Sequence, residues 1–197
     1  VLMTDRLDDI DDALLRDDSL RAAWALIDDE KIMRQQIARE LRTSANAAYT
    51  VDQEAVTADE KETDIRLRST GSEHEAIIEL KIGEKDRSAA DLKATIKDQL
   101  VAKYMAAENS RAGCLLITIK SPRTWLHPET GVALDLAGLI DMLNEEANRI
   151  EQEMGGSLRL TARGLDLQPR LSTERAKSRG RQRTTLPSQE PEEAVIR

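Results

Sequence analysis

Apolar residues recur at helical spacing through the first forty residues of the chain. The first pattern, within residues 1–17, predicts an amphipathic helix on Leu7, Ile10, Leu14 and Leu15. A second helical pattern follows and either continues or restarts near Asp29; its apolar positions are Trp24, Ile27, Met33, Ile37 and Leu41. For this second helix the N-cap candidates are Asp17, Asp18 and Ser19. We therefore expect the chain to begin with helices that each bury one apolar face.

From Ala48 onward, the apolar period changes from helical to alternating, which is typical of strands. Three short strands are predicted, at about residues 49–55, 65–67 and 75–82. A charged turn at residues 59–63 separates the first two, and Thr70-Gly71-Ser72 separates the second from the third. Short connections of this kind favour a three-stranded meander.

The second half of the chain predicts two more helices and two more strands. Ser88 can cap a helix that runs to about residue 107, and residues 113–119 form a nearly continuous apolar run. Such a run is typical of a central strand buried on both faces. After a loop at residues 121–131, a helix at 135–154 and a last strand at 158–167 complete the pattern. The order of elements predicts an α/β fold with a mixed sheet.

The chain of 197 residues is long enough for one domain with a proper core. We expect an acidic helical extension at residues 1–17, one domain at 18–172 and a disordered polar and basic tail at 173–197, which includes the basic cluster at residues 175–183. The first residue is Val1 rather than methionine. This indicates either a piece cut from a larger protein, which we favour, or translation from a non-standard start codon.

Composition indicates a soluble protein of the cytoplasm. No apolar run approaches the roughly 18 residues of a membrane span, and the start shows no secretory signal pattern. The single cysteine, Cys114, lies in an apolar run and is expected to be a buried structural thiol. The net charge of −8 argues against a generic nucleic-acid coat protein. However, ten acids and three bases fall in residues 1–30, so the rest of the chain is less acidic.

Three residues on the predicted meander suggest chemistry. Asp64 stands at the start of the second strand, and Glu79 and Lys81 stand on the third. Side chains two apart on a strand share a face, so Glu79 and Lys81 point the same way. Two carboxylates can hold Mg²⁺, with Mn²⁺ as a substitute, and a neighbouring lysine can orient or deprotonate a bound water. The alternative is an ordinary surface ion pair on a half-exposed strand.

With Asp64 followed by Glu79-Leu80-Lys81 in this order of elements, the chain resembles the PD-(D/E)XK nuclease superfamily. The resemblance covers roughly residues 20–120, with Thr63 in place of the family's usual proline. It implies a restriction-endonuclease-like core in αβββαβ order, to which this chain adds a C-terminal helix and strand. The later elements look like the versions appended to bacterial defence or NTPase proteins.

The resemblance also implies roles for the matched residues. Asp64, Glu79 and the backbone carbonyl of Leu80 would coordinate Mg²⁺, while Lys81 would position the attacking water and stabilise developing negative charge. Some members carry a further acid on the first strand or the first helix. Glu54 and Glu40 are the respective candidates here.

A short motif on the following helix extends the resemblance. Gln99, followed by Tyr104, is similar to a glutamine–tyrosine motif in several of these nucleases, where the glutamine supports the active site or contacts nucleic acid. Without such a role, Gln99 would be a solvent-exposed helical residue and Tyr104 a core residue.

The resulting expectation is a metal-dependent endonuclease domain that hydrolyses phosphodiester bonds, with DNA favoured over RNA. Its partners would be nucleic acid, the remainder of a larger protein with an antiviral defence role, and a second copy in a homodimer. One alternative is a catalytically silent nuclease-fold module that binds nucleic acid or protein. Another is an unrelated α/β domain in which Asp64 and Glu79 lie far apart.

Other charged residues are weaker candidates. His74 and His127 have no second histidine or cysteine at zinc spacing and are expected at the surface. Four basic residues after the triplet could either track a phosphate backbone or form the solvated side of a helix. They are Lys85, Arg87, Lys93 and Lys97.

Overall fold

The computed structural model describes residues 2–16, 19–53, 64–104 and 110–169. The predicted tail at 173–197 and the candidate Glu54 lie outside these ranges. Asp64 and Tyr104 are described by their backbone positions.

Three helices precede the sheet: α1 (Leu2–Leu14), α2 (Arg21–Trp24) and α3 (Glu30–Thr43). The second helical pattern forms two separate helices, α2 and α3, rather than one continuous helix. Asp29 is the N-cap of α3, and its carboxylate accepts hydrogen bonds from the backbone N–H groups of Lys31 and Ile32, at 2.7 and 3.3 Å. This bond pattern satisfies donors that the first helical turn cannot pair internally.

The prediction that Ser19 caps the second helix is wrong, and the other two candidates, Asp17 and Asp18, lie outside the described residues. The N-cap of α2 is Leu20, which makes no side-chain capping bond. The predicted apolar positions of these helices are otherwise confirmed as buried, except that Ile27 is half-buried and Leu15 is 42% exposed.

Within the described ranges, seven strands follow in chain order. They are β1 (Tyr49–Gln53), β2 (Asp64–Ser69), β3 (Glu75–Ile82), β4 (Ser110–Ile119), β5 (Trp125–Leu126), β6 (Ala133–Leu134) and β7 (Arg159–Asp166). Five of them form one sheet in the order β1-β2-β3-β4-β7. β1, β2 and β3 pair antiparallel, which confirms the meander, whereas β4 and β7 join in parallel. The α/β class and the mixed sheet are therefore confirmed.

The predicted central strand is β4, which lies between β3 and β7 and is buried along residues 113–119. Parallel strands need a crossover connection, and helices provide both of them here. The first is α4 (Ala89–Thr95) with the helical segment that continues it; the second is α5 (Leu136–Glu153).

The first crossover departs from the prediction of a single α-helix to about residue 107. Ser88 caps α4 as expected, in a capping box with Asp91. From Ile96 to Tyr104, however, the chain is a π-helix of nine residues. π-Helices are rare and occur mostly as single turns. Ile96 and Leu100 remain fully buried within it.

The C-terminal half adds a small hairpin, β5–β6, whose first strand lies inside the segment predicted as loop and whose second strand follows just after it. α5 packs closely on β7, because Gly164 leaves space for Leu136: a Cβ at Gly164 would lie 3.0 Å from that side chain. Within the described ranges, none of the helices combines the length and the apolar character that crossing a lipid bilayer requires.

Each face of the sheet carries its own hydrophobic core. One core joins α1 and α3 to the face that includes Ile65, Ile78 and Leu80. The other joins α4, the π-helix and α5 to the face that includes Ile77, Leu115 and Ile117. β3 is therefore covered by helices on both sides.

Cys114 is fully buried in the first of these cores, as predicted. Complete burial raises the pKa of the Cys114 thiol to about 12, so the thiol is protonated at neutral pH. We predict that an aromatic disulfide reagent at pH 8 modifies native Cys114 roughly a hundredfold more slowly than the unfolded chain. Spectrophotometric titration with and without denaturant measures this. Equal rates would contradict the buried placement.

Candidate active site

The strand register brings two of the predicted acids together. Asp64 is the direct partner of Glu79 across the antiparallel β2–β3 pair. Directly opposed residues in such a pair have Cα atoms about 4.5–5.5 Å apart and belong to the same face of the sheet. The backbone positions of Asp64 and Glu79 are therefore adjacent, while the Asp64 side chain lies outside the described residues.

Glu79 and Lys81 form a buried ion pair in the middle of the domain. Glu79 is 1% exposed and Lys81 is 6% exposed, and the Lys81 ammonium donates to Glu79 Oε1. Their partners on β4 are Leu115 and Ile117, which belong to the core under α4 and the π-helix. An ordinary surface pair on a half-exposed strand is thus excluded.

A third carboxylate, Glu30, approaches the end of β3. It accepts a hydrogen bond from the Ile82 backbone N–H at 3.1 Å and two from Arg87, at 2.5 and 3.3 Å. Burial alone would raise the pKa of Glu30. The hydrogen bonds from Arg87 and Ile82, with the charges of Arg87 and Lys81, outweigh burial and lower that pKa below its ordinary value.

The sequence analysis placed its helical acid at Glu40 rather than Glu30. Glu40 lies in the last turns of α3, ten residues and about 15 Å along the helix axis from Glu30. There it lines a separate cavity, together with Ile10 and Trp24. The signal that could have found Glu30 is its register, since it lies three and seven residues before the buried Met33 and Ile37.

The structure places Gln99 on the π-helix, where it is half-buried. The π-helix contacts β3 and packs Ile96 and Leu100 into the core that Ile77 shares. Gln99 therefore belongs to the element that covers the face of Glu79 and Lys81. Tyr104 ends this helix, and Glu54 lies outside the described residues.

Two of the four basic candidates form ion pairs with carboxylates, of which Glu30 and Glu146 are buried and Glu129 is 71% exposed. Arg87 binds Glu30, and Lys93 lies 2.9 Å from Glu129 and 3.6 Å from Glu146. These contacts favour a structural role for Arg87 and Lys93. The remaining two, Lys85 and Lys97, are exposed.

Neither histidine belongs to a metal centre in the described part of the chain. His74 is exposed, and His127 Nδ1 accepts hydrogen bonds from the backbone N–H groups of Glu129 and Thr130. No cluster of three or more histidine, cysteine or carboxylate groups suited to a metal lies among the described residues, a set that excludes Glu54 and the Asp64 side chain.

A cavity of about 760 Å³ lies away from the Glu79–Lys81 pair. It opens at the carboxyl ends of β4 and β7, where Ile119, Arg163 and Asp166 line it beside the start of α5. An open depression of this kind specifies no reaction by itself.

Comparison with protein-family models, curated proteins and solved structures found no match to this chain.

Replacing either member of the buried Glu79–Lys81 pair should lower the free energy of unfolding. Lys81→Met leaves the Glu79 carboxylate buried without the Lys81 ammonium. Glu79→Gln leaves the Lys81 ammonium buried without the Glu79 carboxylate. Breaking a buried pair from one side typically costs about 3–5 kcal/mol of unfolding free energy. The double variant Glu79→Gln/Lys81→Met removes both charges, so we expect it to be more stable than the sum of the single losses predicts. Urea unfolding of all four proteins measures the coupling; strictly additive losses would contradict a coupled pair.

The lowered pKa of Glu30 should make the free energy of unfolding depend on pH. Because its folded-state pKa is lowered, its ionised carboxylate stabilises the fold above the ordinary value of 4.5, and that contribution disappears as pH falls through the folded-state pKa. Glu30→Gln should therefore cost about 1–3 kcal/mol at pH 7 and progressively less below pH 4.5. Denaturant unfolding across this range is the measurement, with the exposed Glu145→Gln as control. A cost independent of pH would contradict the assignment.

Proposed function

We propose that this chain is a metal-dependent nuclease domain of the PD-(D/E)XK type, with DNA as its substrate. The observation that carries the proposal is the direct pairing of Asp64 with Glu79, two positions from Lys81 on the same strand. The finer fold assignment rests on the same elements. α3, the β1–β3 meander, the α4 and π-helix crossover and parallel β4 follow one another in αβββαβ order.

The donor set suits Mg²⁺ or Mn²⁺. Hard divalent cations prefer oxygen ligands, and Asp64 and Glu79 bring two carboxylates to neighbouring strand positions. These two residues and the Leu80 backbone carbonyl would hold the ion. When bound, Mg²⁺ would supply Lewis-acid polarisation and would lower the pKa of a coordinated water.

Lys81 has the clearest role among the chain's own groups. Its ammonium carries three N–H donors, and one of them is directed at Glu79 Oε1. A second donor could orient the attacking water and a third could stabilise charge on a phosphate oxygen. Burial strengthens each of these interactions, because little water screens them. Gln99, on the covering helix, would support this arrangement or contact nucleic acid.

The setting proposed for this activity is a larger cytoplasmic protein with a defence role. Homodimerisation would let two such sites meet the two strands of a duplex.

The second candidate is a silent nuclease-fold module that binds nucleic acid or protein. The near-complete burial of Glu79 and Lys81 favours it, because a substrate must reach these groups before they can act. This candidate predicts DNA binding that survives EDTA and survives Lys81→Met, without cleavage by the wild type.

Plasmid cleavage tests the proposal. We expect nicking that requires Mg²⁺ or Mn²⁺ and is abolished by EDTA. Lys81→Met and Glu79→Gln should each reduce the rate about a hundredfold or more, since positioned proton transfer and charge stabilisation are lost. Lys31→Met and Glu145→Gln make the same exchanges at exposed positions and should cleave like wild type.

Circular dichroism of each variant separates loss of chemistry from loss of fold. Nicking that persists at the wild-type rate in folded Lys81→Met and Glu79→Gln proteins would contradict the mechanism. No cleavage by the wild type, with DNA binding retained in EDTA, would favour the silent module.

A further inference from the structure

One face of the β1–β2 hairpin is polar and open. On the opposite face, Tyr49, Val51, Ile65 and Leu67 are buried against α3. Because side chains alternate along a strand, Asp64, Arg66 and Arg68 occupy the other face of β2. Asp52 of β1 is the register partner of Arg66, and Glu75 of β3 is the partner of Arg68.

Ion pairs connect the polar residues of this open face. Arg68 lies 3.1 Å from Asp52 and 3.0 Å from Glu75, while Arg66 lies 3.5 Å from Glu75. The side chains of Arg68 and Asp52 are about half exposed, at 50% and 46%. The exposed Arg68–Asp52 pair contributes only about 0–1 kcal/mol, so the Arg68 guanidinium can change partner at little cost. The side chains of Arg66 and Glu75 are less exposed, at 24% and 18%, so a change of partner costs Arg66 more. Arg87 differs, because its carboxylate partner, Glu30, is buried.

We propose that this arginine face, formed by Arg66 and Arg68, binds the phosphate backbone of DNA and leads it to Asp64, Glu79 and Lys81. The inference rests on the proposed function and adds the surface by which the substrate is held. Along β2, Arg66 and Arg68 follow Asp64 at about 7 and 13 Å, from a rise of about 3.3 Å per residue. A strand of DNA lying along β2 would meet both guanidinium groups before it reached the acids.

The chemistry of arginine suits this partner. The planar guanidinium presents paired N–H donors that match phosphate oxygens, and its contacts to phosphate carry no sequence information. Glu75 and Asp52 hold the two arginines on the sheet in the absence of DNA and compete with phosphate for them. The carboxylates therefore moderate affinity, and removing one should strengthen binding.

Fluorescence anisotropy with a labelled DNA duplex of about 20 base pairs, in EDTA, tests the surface without requiring cleavage. Arg66→Ala and Arg68→Ala should each weaken binding roughly three- to tenfold and should each reduce the salt slope by about 1 between 50 and 200 mM salt. Arg149→Ala is the matched control, because Arg149 is also 50% exposed and pairs with two acids, Glu146 and Glu153. We expect wild-type affinity for this control.

A charge-removal pair distinguishes phosphate binding from a structural role. Glu75→Gln removes the carboxylate that both arginines of the face share and should tighten DNA binding roughly threefold or more. Glu153→Gln makes the same charge change beside Arg149 and should have a much smaller effect. A purely structural ion pair would lose stability in Glu75→Gln, measured by thermal unfolding, and would gain no affinity.

Several outcomes would contradict DNA binding by the arginine face. These are unchanged affinity in folded Arg66→Ala and Arg68→Ala, equal effects of Arg68→Ala and Arg149→Ala, or no DNA binding by the wild type. Stronger arginine-dependent binding of an RNA duplex would overturn the assignment to DNA. The nuclease proposal fails separately, when Lys81→Met retains metal-dependent cleavage.

Discussion

A carboxylate and an ammonium buried on the central part of a sheet constrain the rest of this domain. Each charge alone would cost several kcal/mol to remove from water, and the contact between Glu79 and Lys81 offsets part of that cost. A hydrophobic pair of similar volume would pack at least as well there. Stability alone therefore does not account for charge at this position of β3, and the proposed function supplies a reason for it.

The pairing of β2 with β3 places Asp64 next to this buried pair. In β2–β3, a slip of one residue would move Asp64 away from Glu79 and place it opposite an apolar neighbour. The apolar residues of β2 and β3 prevent such a slip, because Ile65 and Ile78 must stay in the core beneath α3. The same alternation directs Arg66 and Arg68 to the face of Asp64. Burial of one face thus determines which polar residues gather on the other.

Much of this arrangement follows from local pattern. Alternation on the three meander strands and the apolar run of β4 predict the sheet, and the spacing of Glu79 and Lys81 predicts their shared face. Three features depend on contacts that local pattern does not contain. The π-helix differs from an α-helix by its hydrogen bonding rather than by its apolar positions, so Ile96 and Leu100 are buried in either form. Glu30 accepts hydrogen bonds from Ile82 and Arg87, which lie more than fifty residues away in the sequence. The burial of Lys81 requires the covering crossover helix, which the strand sequence cannot reveal.

The proposed nuclease requires that Asp64 and Glu79 share one cation. The most direct measurement is anomalous diffraction from crystals of this chain soaked in Mn²⁺. We expect one strong peak beside the carboxylates of Asp64 and Glu79, with metal–oxygen distances close to the roughly 2.1 Å of Mg²⁺ sites. That peak should be absent from Glu79→Gln crystals. A peak only at other carboxylates, or none at saturating Mn²⁺, would contradict a shared cation.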